Sequence, residues 1–147
     1  MDCIEVDMYG DWKSASHPAC LATRGVATCI AVAVTNNKTQ TAWLIHSPAF
    51  GHQCATLSEM LDEAKAGASW EGDLTVWVRG ADLDDPDIVG ECGVAAEIDL
   101  AKTAVQRLIA KSLPQAQVTY EWGAVDLLTV TFSLGSWACV ESPADLR

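Results

Sequence analysis

The alternation of hydrophobic and polar residues predicts a β-hairpin in the first third of the chain. Residues 26–34 form a run of β-branched and small residues, and residues 41–46 form a second, shorter apolar run. The polar residues 36–39 between the two runs are typical of a tight turn. We therefore expect two antiparallel strands joined by a short loop.

The register of this hairpin decides which side chains meet. A four-residue loop at 36–39 would place Cys29 directly opposite His46, with Cβ atoms about 4.5–5.5 Å apart. A two-residue loop at 36–37 would instead pair Cys29 with Leu44 and leave His46 one step along the same face. In either register the thiol and the imidazole share one face of the sheet, and in the directly opposed register they are close enough to exchange a proton.

The two faces of the first strand differ in bulk. Because side chains alternate along a strand, we expect the bulkier face to enter the main core and the other face to admit a second layer or a slot beside the thiol. The small residues are Ala27, Cys29, Ala31 and Ala33, and the bulkier ones are Val26, Thr28, Ile30, Val32 and Val34. The plainer interpretation of the same pattern is a small core thiol and a satisfied histidine at the strand end.

Two amphipathic helices are predicted further along. Residues 56–59, Thr-Leu-Ser-Glu, have the spacing of a capping box, and Gly67 is placed to end this helix. Asp99 is placed to cap a second helix, which Pro114 would end. Apolar residues recur at helical spacing in both: Leu57, Met60, Leu61, Ala64 and Ala68 in the first, and Leu100, Ala104, Val105, Leu108, Ile109 and Leu113 in the second.

The remaining pattern predicts an α+β fold. Strands are expected at 3–8, 74–79, 117–122, 126–134 and 137–141, with a loop at 9–19. Five to seven strands and two main helices predict a layered sandwich of mostly antiparallel sheet. The 147 residues contain no repeat or linker, so we expect one domain spanning 1–147.

The net charge of the chain limits the kinds of partner that we expect it to bind. The formal net charge is −11, which would repel nucleic acid and anionic membrane surfaces. No apolar run approaches the roughly 20 residues of a membrane span, and the acidic N-terminus lacks the cations of a signal peptide. We expect no nucleic acid partner, no membrane insertion and a cytoplasmic location.

Six cysteines are scattered along the chain without Cys-x-x-Cys spacing. A chain this large and apolar does not need disulfides, so we expect neither disulfides nor structural zinc. Cys29, Cys54, His46 and His52 could in principle gather a metal, and His52 is a second candidate base. The acidic residues at 81–87 do not follow an EF-hand order, and we expect a solvated loop there.

Three residues of the hairpin region carry a family resemblance. Thr23 precedes Cys29 by six residues and His46 follows it by seventeen. These spacings, and the apolar strand that follows the cysteine, resemble the CheD family of chemoreceptor glutamine deamidases, which share a catalytic core with toxin deamidases of the cytotoxic-necrotizing-factor type. The likeness is good over residues 23–46 and elsewhere concerns only the order of elements.

The chain also departs from the CheD pattern at three places. Ala-Thr at 27–28 stands where CheD proteins usually have Gly-Ser, and Thr-Ala-Trp at 41–43 replaces a glycine-rich segment. His-Ser-Pro at 46–48 shortens a His-x-x-Leu-Pro sequence. These differences bear on the substrate more than on the three matched residues.

The resemblance implies a CheD-like fold and a cysteine-dependent protein-glutamine deamidase that needs no cofactor. Cys29 would attack the carboxamide of a glutamine in a protein substrate. His46 would take the thiol proton, lowering the pKa of the thiol, and Thr23 would orient His46. The backbone N–H of Cys29 is the expected oxyanion donor. The substrate could belong to chemotaxis, or to a host cell if the protein is a delivered effector.

Two other classes stay open. A non-catalytic binding module could use the same fold with Cys29 merely buried. A transglutaminase-like or protease-like enzyme would share the first steps and differ in the acceptor. A distance below about 4 Å between the Cys29 sulfur and a His46 nitrogen, in an open cleft, would favour an enzyme over a module.

Overall fold

The computed structural model describes residues 3–8, 11–48, 54–82 and 94–142. The strands of this part of the chain are β1 (Ile4–Glu5), β2 (Lys13–Ser16), β3 (Leu21–Val26), β4 (Ile30–Asn36), β5 (Thr41–Ser47), β6 (Leu74–Gly80), β7 (Gln117–Trp122), β8 (Val125–Ser133) and β9 (Ser136–Ser142). The α-helices are α1 (Cys54–Ala66) and α2 (Val94–Ser112), and a 3-10 turn, Glu71–Asp73, precedes β6.

The strands form two stacked sheets. The four-stranded sheet has the order β1-β3-β8-β9, and the five-stranded sheet has the order β2-β5-β4-β6-β7. Neighbours are antiparallel except for the parallel pairs β1–β3 and β6–β7. One face of the five-stranded sheet packs against both helices, and its other face packs against the four-stranded sheet. This arrangement confirms the predicted α+β class with two helices, although the described strands outnumber the prediction.

Strand β4 lies at the centre and shows the predicted difference between its faces. Ile30, Val32 and Val34 pack into the helix-side core, whereas Ala31 and Ala33 face the second sheet. The small side chains allow that sheet to approach closely, as expected. Burying the apolar side chains on both faces supplies most of the driving force for folding.

The predicted strand over 26–34 is wrong at its start. Val26 ends β3, which belongs to the other sheet, and its side chain lies in the core between the sheets. Residues 27–29 are therefore the crossing between the two sheets. The alternation of apolar residues continues through this crossing, so the pattern alone cannot reveal it.

The hairpin register also differs from both predicted alternatives. Ala31 rather than Cys29 lies opposite His46, and Asn36 pairs with Thr41. The side chain of Asn36 accepts hydrogen bonds from the backbone N–H groups of Lys38 and Thr39, at 2.9 and 3.2 Å. This Asx turn moves the loop one residue along the chain and preserves the parity that puts Cys29 and His46 on one face.

Both helices begin before their predicted caps. Thr56 and Asp99 lie inside α1 and α2, which start at Cys54 and Val94, whereas Gly67 ends α1 as predicted. Leu100 is 70% exposed and does not belong to the buried stripe of α2. The stripe instead starts at Ile98 and continues at helical spacing through Ala101, Val105 and Ile109 to Leu113.

Two further expectations are wrong in the described part of the chain. Residues 9–19 were expected to be a loop, but they contain β2, which pairs with β5. Cys3 and Cys20 form a disulfide, with sulfurs 2.05 Å apart. The parallel pairing of Ile4 with Leu21 brings these two cysteines side by side, and sequence spacing does not show such a pairing. Most of the predicted acidic loop lies outside the described residues.

Neither described helix is both long enough and apolar enough to cross a membrane.

Candidate active site

The structure brings Cys29, His46 and Thr23 together at the interface between the sheets. The Cys29 Sγ lies 2.9 Å from His46 Nε2, and His46 Nδ1 lies 2.7 Å from Thr23 Oγ1. Cys29 is the last residue of the crossing, His46 lies near the end of β5, and Thr23 lies in the middle of β3. Three separate elements therefore place the three matched side chains in one row.

A fourth group, the backbone carbonyl of Val6, fixes the protons of this row. The hydroxyl of Thr23 donates to the Val6 carbonyl oxygen at 2.6 Å. Because a hydroxyl has a single proton, Thr23 Oγ1 can only accept from His46, so Nδ1 carries the imidazole hydrogen. The lone pair of Nε2 then faces the Cys29 thiol. We refer to Val6 carbonyl, Thr23, His46 and Cys29 as the hydrogen-bond chain.

The hydrogen-bond chain is nearly closed to solvent. Thr23 is 0% exposed, His46 2% and Cys29 5%. Burial raises the pKa of the Cys29 thiol and lowers the pKa of the His46 imidazole. The resting pair is therefore a neutral thiol hydrogen-bonded to a neutral imidazole, and not the thiolate of lowered pKa that we expected. In the described part of the chain, Cys29 is thus nearly buried, whereas an open cleft was the criterion for an enzyme.

Backbone groups around the sulfur oppose this effect of burial. Hydrogen bonds from the backbone N–H groups of Ala27 and Cys29 lower the pKa of the thiol, although burial has the larger effect. The carbonyls of the same two residues accept from Asp82 N, at 2.9 Å, and Ala81 N, at 2.8 Å. The two residues that follow β6 thus hold the crossing through its backbone carbonyls.

Gly80 makes this close approach possible. Its φ of +103° lies in a region that favours glycine, and a Cβ there would overlap the carbonyl oxygen of Cys29. Sequence reasoning missed Gly80, because a glycine at the end of a strand is an ordinary turn signal. Only the register, in which Gly80 pairs with Ile30, shows its role.

A buried arginine lies in the same cross-strand row as His46. Arg79 pairs across β4 with Ala31, which in turn pairs with His46. Arg79 is 4% exposed, and its guanidinium forms ion pairs with Glu141, on the other sheet, and Glu121, at 3.7 Å. Arg79 thus joins the two sheets electrostatically. It was predicted only as the last residue of a strand.

The alternative metal site receives no support from the described residues. Among them, no group of three or more histidine, cysteine, aspartate or glutamate side chains could hold a metal ion. His52 and the side chain of Cys54 lie outside the described part, so the idea of His52 as a second base stays a prediction.

Comparison with known proteins shows a fold and no activity. Neither a protein-family model nor a curated protein matches the sequence. Among solved structures, the chain is similar to the hypothetical protein YfiH of Bacillus licheniformis, with a TM-score of 0.55 and 13% identity over 84% of this chain and 61% of YfiH. It is also similar to NMB0706 of Neisseria meningitidis, described with the DUF152 family model, with a TM-score of 0.47 and 11% identity over 86% and 69% of the two chains.

The likeness to YfiH concerns the fold alone, and it places the chain among α+β sandwiches. The chain spans 61% of the YfiH chain it matches. The resemblance to CheD stays a prediction that depends on Thr23, Cys29 and His46.

Proposed function

We propose that this protein is a cysteine-dependent amidohydrolase that converts glutamine side chains of a protein substrate to glutamate with release of ammonia. The observation that supports this proposal is the hydrogen-bond chain, in which His46 Nε2 lies 2.9 Å from the Cys29 sulfur with its lone pair directed at the thiol. A nucleophile, a base in hydrogen-bond reach and a third group that orients the base are the parts that nucleophilic catalysis requires. The CheD-like spacing of the same residues supports glutamine as the target.

The neutral pair sets the order of proton transfers. The Cys29 sulfur attacks the carboxamide carbon while its proton passes to His46 Nε2, and the C–S bond forms. His46 returns that proton to the amide nitrogen as the C–N bond breaks, so that ammonia leaves and a thioester remains. Water then attacks the thioester, with His46 taking a proton and giving it back to sulfur. The products are glutamate and free Cys29.

The oxyanion of each tetrahedral intermediate needs donors close to the sulfur. The backbone N–H groups of Ala27 and Cys29, which lower the pKa of the thiol, are the described candidates. Preorganised N–H donors in a buried site stabilise developing negative charge strongly, since little water competes for them. The hydrogen bonds from the backbone N–H groups of Ala81 and Asp82 to the carbonyls of this crossing keep the donors in place.

A second candidate is a non-catalytic protein-binding module. The observation that favours it is the low exposure of Cys29, 5%, together with the raised pKa of its thiol. In that case the thiol and the imidazole satisfy each other in the core between the sheets. A transglutaminase-like or protease-like enzyme would use the same pair and release different products.

The test measures ammonia release from a glutamine dipeptide with blocked ends and from an unfolded glutamine-rich protein, with mass spectrometry of the products. Wild type and Cys139→Ser, a variant at a free cysteine in β9 that is not a member of the hydrogen-bond chain, should release ammonia, and Cys29→Ser should not. Conversion of amide to carboxylate identifies a deamidase, incorporation of an added amine identifies a transglutaminase, and chain cleavage identifies a protease. Equal ammonia release by Cys29→Ser and wild type would remove Cys29 from the role of nucleophile.

A cytoplasmic location stays a prediction. Disulfides such as Cys3–Cys20 persist mainly in oxidising compartments. The disulfide therefore favours exposure to an oxidising environment at some stage, which would agree with a delivered effector better than with a chemotaxis protein.

A further inference from the structure

The Cys3–Cys20 disulfide and the hydrogen-bond chain share one pair of strands. In the parallel ladder Ile4 pairs with Leu21 and Glu5 with Ala22, so the next pair along brings Val6 beside Thr23. The disulfide stands immediately before this ladder, and the contact between the Val6 carbonyl and the Thr23 hydroxyl stands immediately after it. The position of β1 relative to β3 therefore controls the far end of the hydrogen-bond chain.

Few other contacts hold β1 in this position. It is a two-residue strand at the edge of its sheet, with hydrogen bonds of 2.8 Å from Ile4 N to Cys20 O and from Val6 N to Ala22 O. The ion pair of Arg24 with Glu5 joins side chains that are 65% and 53% exposed, so it adds little. The Lys13 ammonium also donates to the Glu5 carbonyl at 2.9 Å, again in an exposed setting. The side chain of Val6 is buried, and we expect loss of the disulfide to shift β1 rather than to release it.

We propose that the Cys3–Cys20 disulfide is a redox-controlled positioning device for His46. In the oxidised protein β1 is held against β3, and the Val6 carbonyl takes the Thr23 proton, so Thr23 must accept from His46 Nδ1. In the reduced protein the Val6 carbonyl moves away, the Thr23 hydroxyl is free to donate to Nδ1, and the hydrogen of His46 can transfer to Nε2. That tautomer presents no lone pair to Cys29. The functional consequence rests on the proposed amidohydrolase activity.

The redox step requires a dithiol reductant. Thiolate attack on the protein disulfide breaks the Cys3–Cys20 bond, and closure of the reductant to its own disulfide supplies two electrons and two protons. Cys3 and Cys20 end as thiols. Cys29 takes no part in this exchange, which distinguishes the device from oxidation of the nucleophile itself.

The experiment uses nitrogen-15 NMR of the His46 ring in the oxidised and the dithiothreitol-reduced protein, with hydrogen exchange of the Val6 amide. Reduction should lower the fraction of the Nδ1–H tautomer and speed Val6 exchange about tenfold or more. The Cys3→Ala/Cys20→Ala double variant should match the reduced protein, and Cys139→Ala should match wild type. In Thr23→Val, reduction should still speed Val6 exchange and should cause no further change at His46.

Each outcome decides the matter. An unchanged His46 spectrum in protein whose disulfide is demonstrably reduced would overturn the proposal. Loss of the whole fold on reduction, seen by circular dichroism, would overturn it too, because the disulfide would then act on stability alone. If the His46 spectrum responds as expected but no glutamine substrate is deamidated, the positioning device stands and the proposed function fails.

Discussion

Thr23 and His46 lie on different sheets, and the 2.7 Å contact between Thr23 Oγ1 and His46 Nδ1 is a polar link across the mainly apolar interface between those sheets. Around it lie Leu21, Val26, Leu44 and Leu128, all buried in the core between the sheets. A polar pair in such surroundings must be fully satisfied, because each unpaired buried group destabilises the fold. The Val6 carbonyl and the Cys29 thiol complete that requirement at the two ends.

Replacing Thr23 by valine should break the hydrogen-bond chain, because valine has nearly the shape of threonine but lacks its hydroxyl. Thr23→Val leaves the Val6 carbonyl and the His46 Nδ1–H without partners, so we expect the free energy of unfolding to fall by about 1–3 kcal/mol. Thr23→Ser keeps the hydroxyl and should retain the Nδ1–H tautomer of His46. Urea denaturation and NMR of the His46 ring measure both effects. A Thr23→Val protein with wild-type stability and tautomer would contradict this account of Thr23.

Replacing Gly80 by alanine should disturb the crossing that carries Cys29. Gly135, in the turn between β8 and β9, is a matched control, because its φ is +86° but nothing lies within 4 Å of its Cβ position. Both variants share the backbone strain, whereas only Gly80→Ala overlaps the Cys29 carbonyl. We expect Gly80→Ala to destabilise the protein by about 1–3 kcal/mol more than Gly135→Ala. Equal denaturation midpoints for the two variants would mean that the crossing accommodates the methyl group.

The two glutamates that pair with Arg79 should differ in importance. Glu141 contacts the buried guanidinium from the opposite sheet with a side chain 34% exposed, whereas Glu121 lies 3.7 Å away and is 58% exposed. We expect Glu141→Gln to lower the free energy of unfolding by about 1–2 kcal/mol and Glu121→Gln by less than about 0.5 kcal/mol. Thermal or urea denaturation of both variants tests this order. A larger loss for Glu121→Gln would show that the link between sheets is not what Arg79 contributes.

The pKa shifts predict limits to stability on both sides of neutral pH. The pKa of folded His46 is lowered from its ordinary value of 6.5, so the unfolded chain takes up the proton first and stability falls as the pH drops below that value. The pKa of Cys29 is raised from 9.0 and that of Cys139 from 9.0 to about 12, so the unfolded chain ionises first and stability falls as the pH rises above 9.0.

The variant His46→Gln distinguishes the loss of stability caused by His46 at acidic pH from the loss caused by titration of surface carboxylates. Between about pH 7 and pH 5, the free energy of unfolding should decrease less in this variant than in wild type, because glutamine takes up no proton in that range. Urea denaturation at several pH values measures the difference. Parallel curves for the two proteins would mean that His46 titrates alike in the folded and unfolded chains.

Local pattern predicted the elements well where one face of an element is buried. Strands β6, β7 and β9 lie within one residue of the predicted ends, and the stripe of α1 is the predicted one. The predicted starts of the helices were wrong, because Thr56 and Asp99 are residue types that often cap helices but here lie inside them. Leu100 was misplaced for the same reason, since the stripe was counted from the wrong start.

The sequence predicted which side chains meet at the site, but not the backbone and disulfide contacts that surround them. Parity places Cys29 and His46 on one face in both predicted registers and in the observed one, so their meeting did not depend on a choice between those loops. The crossing at 27–29, the Val6 carbonyl and the disulfide depend on contacts between distant segments. The pKa of Cys29 was expected in the wrong direction, because burial, which spacing does not show, outweighs the effect of the neighbouring backbone N–H groups.

The central claim is that His46 acts as a base toward the Cys29 thiol, and the rate of alkylation of Cys29 by iodoacetamide at neutral pH tests it most directly. Iodoacetamide carries the carboxamide of a glutamine side chain, and peptide mass spectrometry reports Cys29 separately from the other cysteines. With Nε2 at 2.9 Å from the sulfur, we expect His46→Ala to slow this reaction at least about a hundredfold relative to wild type. Equal rates for wild type and His46→Ala, in a variant that keeps the fold, would show that the imidazole does not activate the thiol.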